Sequence, residues 1–276
     1  MNRAIPKRII QTGKSVEQPL LNRAMIANLR LLNPDFEYVF FDDDQVIRFI
    51  REDFPQYLEL FKSFEFPIQR FDFFRYLAVY RLGGFYFDLD VLLADGLSPL
   101  LDFGCVFPFE ALTLSTYLRE ERGMDWELGN YGFGAAPGHP FLKAVIDACV
   151  QAQQDPPSVD RMLKGAPRLL RAEYRVLNST GPGLVSRVLA ENPDLAASVN
   201  VLFPEDVCDV DCWNRFGDFG VHLMKGSWRL KNDFLRRKIA QRWEYRSMQT
   251  ALAQARTKGK HREHAGNRKI GQTVSV

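Results

Sequence analysis

The chain has 276 residues, of which 46% are hydrophobic and 25% are charged, and its formal net charge is +2. These values are ordinary for a globular protein of one or two domains, and they exclude a nucleic-acid binder that works through overall charge. The opening residues lack a secretory signal, and no run of about 18 apolar residues predicts a transmembrane helix. The four cysteines show no zinc-ligand spacing. We therefore expect a cytoplasmic protein with reduced thiols.

The N-terminal part of the sequence predicts a parallel α/β unit. A buried strand over residues 5–12 is followed by a helix over 15–32, with Ser15 as its N-cap, and by a second strand over 36–41. The next helix is predicted to begin with three acids that suit its dipole, with a metal or ribose contact as the alternative: Asp42, Asp43 and Asp44.

Residues 65–97 predict a buried helix, a Gly-Gly turn and a strand that reads GFYFDLDVLL. Asp88 and Asp90 follow the apolar run Phe85-Tyr86-Phe87 on that strand. Burying an unpaired carboxylate costs several kcal/mol, so the two acids require a counter-charge. A divalent metal ion or a cluster of Arg and Lys would supply it, and the sequence offers no evident basic cluster beside them.

The second half of the sequence continues the α/β pattern. Residues 113–137 show no clear period and predict a loop, which either faces a substrate or merely connects its neighbours. Strands are predicted over 105–109, 198–204 and 219–228, and helices over 139–154 and 180–193.

Three segments divide the chain: one globular domain over 1–230, a basic helix over 231–257 and a disordered tail over 258–276. Two interpretations of the basic helix stay open. It packs its apolar side, which includes Trp243, on the domain, or it makes a peripheral contact with the inner face of an anionic membrane.

The D-x-D pattern of Asp88 and Asp90 places two carboxylates on the same face at a strand end. Ligands collect at the carboxyl ends of strands in α/β sheets. Hard oxygen ligands suit Mg²⁺ or Mn²⁺, which keep open positions for the phosphates of a substrate. A helix cap plus a surface acid is the alternative interpretation.

Further candidate residues lie on the preceding helix and near the end of the domain. Asp72 and Arg75 share a helix face at i and i+3, and their burial favours a polar ligand over a plain ion pair. His222 could complete a metal site begun by the two acids. It precedes a turn whose side chains suit anionic oxygens: Lys225, Ser227 and Trp228.

The motifs IPKRIIQTGK, RLGGFYFDLDVLL, APGHPF, TGP and HLMKGSW follow one another in this order over roughly residues 4–230. In this combination the sequence resembles glycosyltransferase family 32, the transferases with a sugar-binding DXD motif. The opening differs, since Ile10 and Gly13 stand where the family usually has His and Trp. The resemblance implies a GT-A fold over residues 1–230, which is an α/β fold with a single Rossmann-like mixed sheet flanked by helices.

The resemblance also implies roles for individual residues. Asp88 and Asp90 would hold Mn²⁺ or Mg²⁺ and the donor diphosphate, and His222 falls where related retaining transferases place a further metal ligand. Asp72 and Arg75 would contact the donor sugar and its ribose or phosphate, and Arg75 would join the two metal acids as a catalytic residue.

The remaining implied contacts are with the nucleotide. Ser227 and Trp228 would close over the β-phosphate, and Lys225 would help to stabilise its charge. The residues placed near the base are Ile10, Gln11 and Thr12.

The activity implied is metal-dependent, α-retaining transfer of a hexose from a UDP- or GDP-sugar to a glycan or lipid-linked saccharide, in surface polysaccharide synthesis. The metal would neutralise the departing nucleoside diphosphate, and preorganised donors would stabilise the same charge. No nucleophile is evident. Attack by the acceptor hydroxyl from the front face, with the leaving phosphate taking its proton, is the mechanism that the resemblance implies.

Two alternatives come from other classes of protein. FDLDVLL also resembles the motif of haloacid dehalogenase-type phosphatases, in which Asp88 would be the nucleophile. That motif usually lies on the first strand and is joined by a later Lys and paired acids, and this sequence has neither feature. A non-catalytic module would bind a nucleotide-sugar without transfer or hydrolysis.

Overall fold

The computed structural model describes residues 4–223 and 234–263, and the predicted contact residues Lys225, Ser227 and Trp228 therefore lie outside the described residues. The strands within these ranges are β1 (Arg8–Thr12), β2 (Glu37–Phe41), β3 (Gly84–Phe87), β4 (Val91–Leu93), β5 (Cys105–Leu112), β6 (Trp126–Leu128), β7 (Gly132–Ala135), β8 (Asn200–Leu202) and β9 (Gly220–His222). The α-helices are α1 (Leu20–Leu32), α2 (Asp43–Asp53), α3 (Leu58–Ser63), α4 (Pro67–Leu82), α5 (Pro140–Gln154), α6 (Arg171–Ser179), α7 (Pro182–Glu191), α8 (Pro193–Ala196) and α9 (Phe234–Glu263).

Seven of the described strands form one mixed sheet in the order β2-β1-β3-β7-β5-β6, with β8 beside β5. Strands β1, β2 and β3 run parallel to one another. Strand β7 is antiparallel to both of its neighbours, β3 and β5. A separate two-stranded sheet pairs β4 with β9. The predicted fold, an α/β protein with a single mixed sheet flanked by helices as in GT-A proteins, is confirmed.

The sheet is covered by helices on both faces. Tyr86 and Phe107 point into a large core with α2, α4, α5 and α7. Phe85 and Phe87 point the other way, into a smaller core that includes Leu29 of α1. This alternation follows from the two-residue period of a strand, and it explains why β3 is apolar on both faces.

Helix α2 begins as its three acids predict. The Asp42 side chain accepts a hydrogen bond from the Gln45 backbone N–H at 2.8 Å, and the Gln45 side chain accepts one from the Asp42 N–H at 2.9 Å. This reciprocal capping box satisfies two donors that a helix start leaves without a partner.

Three local predictions are wrong. Helix α1 begins at Leu20 rather than at residue 15, and Ser15 donates to the Glu17 carbonyl at 2.9 Å instead of capping the helix. The predicted strand GFYFDLDVLL is divided into β3 and β4, which belong to different sheets. The stretch 113–137 is not a loop, because it contains β6 and β7.

The C-terminal helix α9 packs on the domain through its described side chains. Ala240 joins a cluster with Leu163, Leu170 and Tyr174, and Leu252 joins another with Trp213. The helix continues to Glu263, past the predicted end at 257, so its last turns include part of the predicted tail. Among the described residues no helix combines the length and the apolar character that crossing a bilayer requires.

The turn between α4 and β3 requires glycine. Gly84 has a φ of 106°, and a Cβ at this position would lie 2.6 Å from the backbone oxygen of Arg8 in the neighbouring strand. Side chains rarely adopt such a φ, and a backbone atom of a buried strand cannot move aside cheaply.

We expect Gly84→Ala to lower the free energy of unfolding by on the order of 3 kcal/mol or more, because strain and a backbone clash add together. Gly138→Ala is the matched control, since Gly138 has a φ of 69° but open space where a Cβ would lie. Its cost should be about 1–2 kcal/mol, from the left-handed conformation alone. Urea denaturation of both variants measures the difference, and equal losses would refute the proposed clash.

Candidate active site

Asp88 and Asp90 lie in the turn that joins β3 to β4, rather than within a strand as the sequence predicts. The Asp88 backbone N–H donates to the Tyr131 carbonyl at 2.7 Å, and the Leu223 N–H donates to the Asp90 carbonyl at 2.9 Å. The main chain therefore fixes the turn from two sides, and both carboxylates stand where the parallel strands end.

The pairing of β4 with β9 brings His222 to this turn, because Val91 lies directly opposite it. One ligand atom from each of Asp88, Asp90 and His222 can be chosen so that all three lie within 4.8 Å of one another. The structure therefore brings together the three residues that the sequence proposes as metal ligands.

The His222 ring is held in place before any ligand binds. Its Nε2 lies 3.3 Å from Asp90 Oδ1, and it stacks on the Tyr131 ring at 4.3 Å between centroids. Burial lowers the pKa of His222, but the hydrogen bond with Asp90 and the charge of Asp88 outweigh it, so the net pKa is raised. The buried Nδ1 atom has no hydrogen-bond partner among the described residues.

These three residues fit a divalent cation. Two carboxylates and one imidazole form a mixed oxygen and nitrogen donor set of the kind that holds divalent ions. Asp72 lies nearby, and Arg75 is shared between Asp72 and Asp88.

Arg75 is the buried cation at the centre of the site, with 3% of its surface exposed. Its Nη2 lies 3.1 Å from Asp88 Oδ1 and 3.2 Å from Asp72 Oδ1. Its Nη1 donates to the Asn130 carbonyl at 2.7 Å, and the guanidinium lies 4.7 Å from the centre of the Tyr86 ring. The sequence shows no evident cluster of Arg and Lys beside the acids, and the fold supplies the single guanidinium of Arg75 against Asp88.

Asp72 is almost fully buried and uses both of its carboxylate oxygens. Asn130 Nδ2 donates to Oδ1 at 3.1 Å, and the Thr180 hydroxyl donates to Oδ2 at 3.0 Å. Burial raises the pKa of Asp72 to about 6 against the opposing effect of Arg75, and the charge of Asp88 raises it further. Burial also disfavours the charge of Arg75, but Asp88 leads the groups that raise the pKa of Arg75. Arg75 therefore forms ion pairs with both Asp88 and Asp72.

Tyr86 connects Asp88 to strand β1. Its hydroxyl donates to Asp88 Oδ1 at 2.9 Å and lies 3.2 Å from the Thr12 hydroxyl. Residues two apart on a strand share a face, so Tyr86 and Asp88 both point toward α4 and Arg75. This contact explains why a Tyr stands between two phenylalanines on β3.

The predicted contacts of Ile10 and Gln11 with a nucleotide base are corrected, because neither residue has exposed surface. Gln11 Nε2 instead lies 3.3 Å from the Asp88 carbonyl, and Gln11 Oε1 accepts from the Tyr38 hydroxyl at 3.0 Å. Gln11 is therefore a buried residue whose side chain stabilises the turn that carries Asp88 and Asp90. Thr12, one residue later, does line the cleft.

One cleft of about 1000 Å³ passes over the acids. Strand order divides it, since β1 and β2 lie on one side of β3 while β5 and β6 lie on the other. The side beyond β1 and β2, called the near half, is lined by Thr12, Gly13, Lys14, Asn22 and Asp43. The side beyond β5, called the far half, is lined by residues that include Glu110, Leu114, Glu127, Lys164, Trp213 and Trp243.

Several residues of the site were not predicted from the sequence. Asn130 and Tyr131 lie in the stretch that was predicted to be a loop, and Glu110 lies within an otherwise apolar strand, just beyond the predicted range 105–109. Thr180 opens the TGP motif, which the resemblance included without a role for its side chain. Its hydrogen bond to Asp72 supplies that role.

Comparison with known proteins agrees with this geometry. Residues 21–106 match the family described as "Glycosyltransferase sugar-binding region containing DXD motif". The matched range contains four polar residues of the site: Asp72, Arg75, Asp88 and Asp90.

Two fungal proteins are similar to about half of the chain. The chain is 36% identical over 143 residues to Inositol phosphoceramide mannosyltransferase 3 of Schizosaccharomyces pombe, which covers 52% of this chain and 36% of the relative. It is 34% identical over 142 residues to Mannosyl phosphorylinositol ceramide synthase SUR1 of Saccharomyces cerevisiae, which covers 51% and 34%. The matched stretch spans about half of this chain and about a third of the length of these relatives.

A structural comparison gives a distant likeness to PaToxG Glycosyltransferase, with a TM-score of 0.45 and 16% identity over 70% of this chain and 72% of that one. The match over residues 21–106 contains Asp88 and favours the DXD interpretation of this residue over the phosphatase alternative.

We expect Arg75→Met to lower the free energy of unfolding by about 3–5 kcal/mol, because it leaves the carboxylates of Asp72 and Asp88 without their shared cation. Arg81→Met on the same helix is the matched control. Arg81 pairs with Asp53 but keeps 59% of its side chain exposed, so its loss should cost less than about 1 kcal/mol. Chemical denaturation in EDTA compares the two, and similar small losses would show that the buried pair is not structural.

Proposed function

We propose that the chain is a metal-dependent, retaining glycosyltransferase that moves a hexose from a nucleotide-sugar to a glycan or lipid-linked saccharide. The observation that carries the proposal is the cluster of Asp88, Asp90 and His222 at the middle of a two-sided cleft. A transfer reaction needs room for two substrates on either side of the reacting bond, and the cleft has it. The names of the two fungal relatives make mannose the first sugar to test. A role in surface polysaccharide synthesis is part of the proposal.

Asp88, Asp90 and His222 would hold Mn²⁺ or Mg²⁺, and a mixed donor set with an imidazole favours Mn²⁺. When bound, the ion would supply Lewis-acid charge neutralisation for a departing diphosphate. Asp88 and Asp90 would thereby be essential to catalysis without acting as nucleophiles.

Arg75 would add a fixed positive charge beside the same diphosphate. Asp72 and Asn130 hold its guanidinium, so no reorganisation is required when charge develops. Asp72 also lines the cleft, and we propose a contact with the donor sugar for it. Thr12 would meet the nucleotide in the near half. We also propose that the side chains of three residues that follow His222 in the sequence contact the β-phosphate: Lys225, Ser227 and Trp228.

A thermal-shift screen of UDP- and GDP-hexoses with Mn²⁺ identifies the donor, since a ligand that binds only the folded state raises the apparent stability. Transfer and donor hydrolysis are then measured with that donor, and NMR of the product reads its anomeric configuration. Donor binding with neither transfer nor hydrolysis would favour the binding-module alternative. Product of inverted configuration would refute retention alone.

We expect Asp90→Asn to lose the stabilisation by Mn²⁺ and to lower transfer by roughly two orders of magnitude or more, because one of three metal ligands loses its charge. Asp102→Asn, at an exposed carboxylate outside the cleft, is the control and should behave as the parent chain. Unchanged turnover of Asp90→Asn, or full activity in EDTA, would overturn the metal-dependent mechanism.

We also propose that α9 makes a peripheral contact with an anionic membrane surface. Arg242 and Arg246 are exposed one turn apart on this helix, while Ala240 and Leu252 face the domain. A basic stripe of this kind gains about 1 kcal/mol per charge near anionic lipid.

The double variant Arg242→Gln/Arg246→Gln should co-sediment less with vesicles of 30 mol% phosphatidylserine, by roughly tenfold in partition coefficient. Arg48→Gln/Arg51→Gln on α2 removes the same charge elsewhere and is the control. Equal partition of both variants, or no partition of the parent chain, would refute the contact.

A further inference from the structure

Helix α1 is apolar on two opposite sides, although only one of them packs on the domain. Met25 and Leu29 are buried, and Leu29 belongs to the smaller core. Because a helix has 3.6 residues per turn, four apolar residues fall together on the opposite side, and all four are exposed: Leu20, Ala24, Ala27 and Leu31. We call these four residues the outer stripe of α1. At a rise of 1.5 Å per residue, the stripe is about 16 Å long.

The large side chains of the outer stripe are almost fully exposed. Leu20 is 80% exposed and Leu31 is 79% exposed, and Val16, which precedes the helix, is 70% exposed. Four of the nine exposed large hydrophobic side chains in the described part of the chain lie within residues 16–31. A helix that is apolar on all sides is ordinarily buried, so the stripe indicates a surface that a partner covers.

Other surface helices of this protein turn charged residues outward. On α5, Lys143 forms an ion pair with Asp147 one turn away, and both side chains are about half exposed. On α2, Arg48 and Arg51 are exposed. Helix α1 cannot form an ion pair within itself, because none of its 13 residues is acidic. The outer stripe therefore differs from the solvent-facing sides of its neighbours.

The charged side chains beside the outer stripe are positive. Arg23 and Arg30 are both exposed, and their spacing of seven residues places them on the same flank of the helix. The guanidinium of Arg30 lies 5.4 Å from the centre of the Tyr38 ring. Residues 14–32 contain one acid, Glu17, against three basic residues: Lys14, Arg23 and Arg30.

This positive flank selects among the partners that could cover the stripe. A second copy of the chain, packed stripe against stripe, would bring the arginines of both copies together, and α1 has no acid to offset them. The segments outside the described residues do not complement them either, because each has a basic excess in the sequence: 1–3, 224–233 and 264–276. The acids that follow the helix are already paired, Asp35 with Lys7 and Glu37 with Arg8.

An anionic lipid surface complements both features of α1. Leucine side chains are stabilised at the boundary between headgroups and acyl chains, and lipid phosphates attract arginines. The helix also adjoins the cleft, since Asn22 in its first turn lines the near half, as does Lys14. A membrane that covers the stripe would therefore lie beside the near half of the cleft.

We propose that the outer stripe of α1 is a docking surface for an anionic membrane. Leu20 and Leu31 enter the boundary between headgroups and acyl chains, Val16 extends the inserted edge, and Arg23 and Arg30 contact lipid phosphates. This contact is separate from the one proposed for α9, because it requires apolar insertion as well as charge. It rests on the exposure and charge of α1 and holds whether or not the proposed reaction does.

The test is co-sedimentation of the full chain with vesicles. We expect Leu20→Gln/Leu31→Gln to lower the partition coefficient onto vesicles of 30 mol% phosphatidylserine about tenfold or more, because two leucines no longer leave water. Ile47→Gln/Val210→Gln is the matched control, since it removes two exposed apolar side chains elsewhere, and it should partition as the parent chain does. Substitutions at exposed positions rarely affect folding, and thermal melting of each variant checks this.

The contribution of charge is measured on the same vesicles. Arg23→Gln/Arg30→Gln should lower the partition coefficient by roughly tenfold on 30 mol% phosphatidylserine and should have no effect on phosphatidylcholine alone. Arg48→Gln/Arg51→Gln on α2 removes the same charge elsewhere and should leave the partition coefficient unchanged.

A second measurement locates the contact. Leu31→Trp places an indole on the outer stripe, and Ile47→Trp places one at an exposed position of α2. Phosphatidylserine vesicles with brominated acyl chains should quench the added fluorescence of Leu31→Trp and leave that of Ile47→Trp unchanged, each measured against the parent chain.

Equal partition of the leucine variant and its control would overturn the proposal, as would equal quenching of the two indoles. An equal effect of the arginine variant on both kinds of vesicle would overturn the preference for anionic lipid. No partition of the parent chain would refute membrane docking and favour an acidic protein surface as the partner. A dimer that dissociates in Leu20→Gln/Leu31→Gln, without loss of vesicle binding, would assign the stripe to a second copy. Failure of the proposed function is distinguishable, because the absence of transfer with every donor would leave these vesicle measurements unchanged.

Discussion

The rest of the site depends on one buried guanidinium. Arg75 reaches Asp88, Asp72 and the Asn130 carbonyl from α4, and it can do so because Tyr86 supplies an aromatic face beside it. A buried ion pair is a weak source of stability, since desolvation offsets most of the attraction. Its value here is geometric. It holds the Asp88 carboxylate at the end of β3.

The second constraint is the way in which the chain returns to the same turn. The small β4–β9 sheet carries His222 to Asp90 from far along the sequence, and Tyr131 reaches it from the strand next to β3. Asp88, Asp90 and His222 therefore come together only when three separate parts of the chain are folded. The main-chain hydrogen bonds at Asp88 and Asp90 make this meeting point rigid on both sides.

Much of this was predictable from residue patterns that act locally. The apolar run before Asp88, the burial of α4 and the acids that begin α2 each follow from the period of an element or from its dipole. The same patterns do not tell how a strand pairs. That is why β4 was joined to β3 in the prediction, and why β6 and β7, which have three and four residues, went unrecognised.

Long-range polar contacts were equally hidden. Gln11 lies in a motif that the resemblance links to a nucleotide, yet it holds a carbonyl behind the site, because the register of β1 against β3 buries it. Asn130 and Thr180 donate hydrogen bonds to the Asp72 carboxylate, and no local sequence pattern predicts either contact. Such partners become visible only when the sheet order is known.

The two halves of the cleft come from different parts of the gene. The family match ends at residue 106, so it contains Asp72, Arg75, Asp88 and Asp90, whereas Glu110, Glu127, Trp213 and Trp243 all lie beyond it. Substitutions in the later part can remodel one wall of the cleft without touching the cation that orders the acids. The architecture therefore separates the residues that hold the acid cluster from those that shape one wall of the cleft, and substitutions can change either group without changing the other.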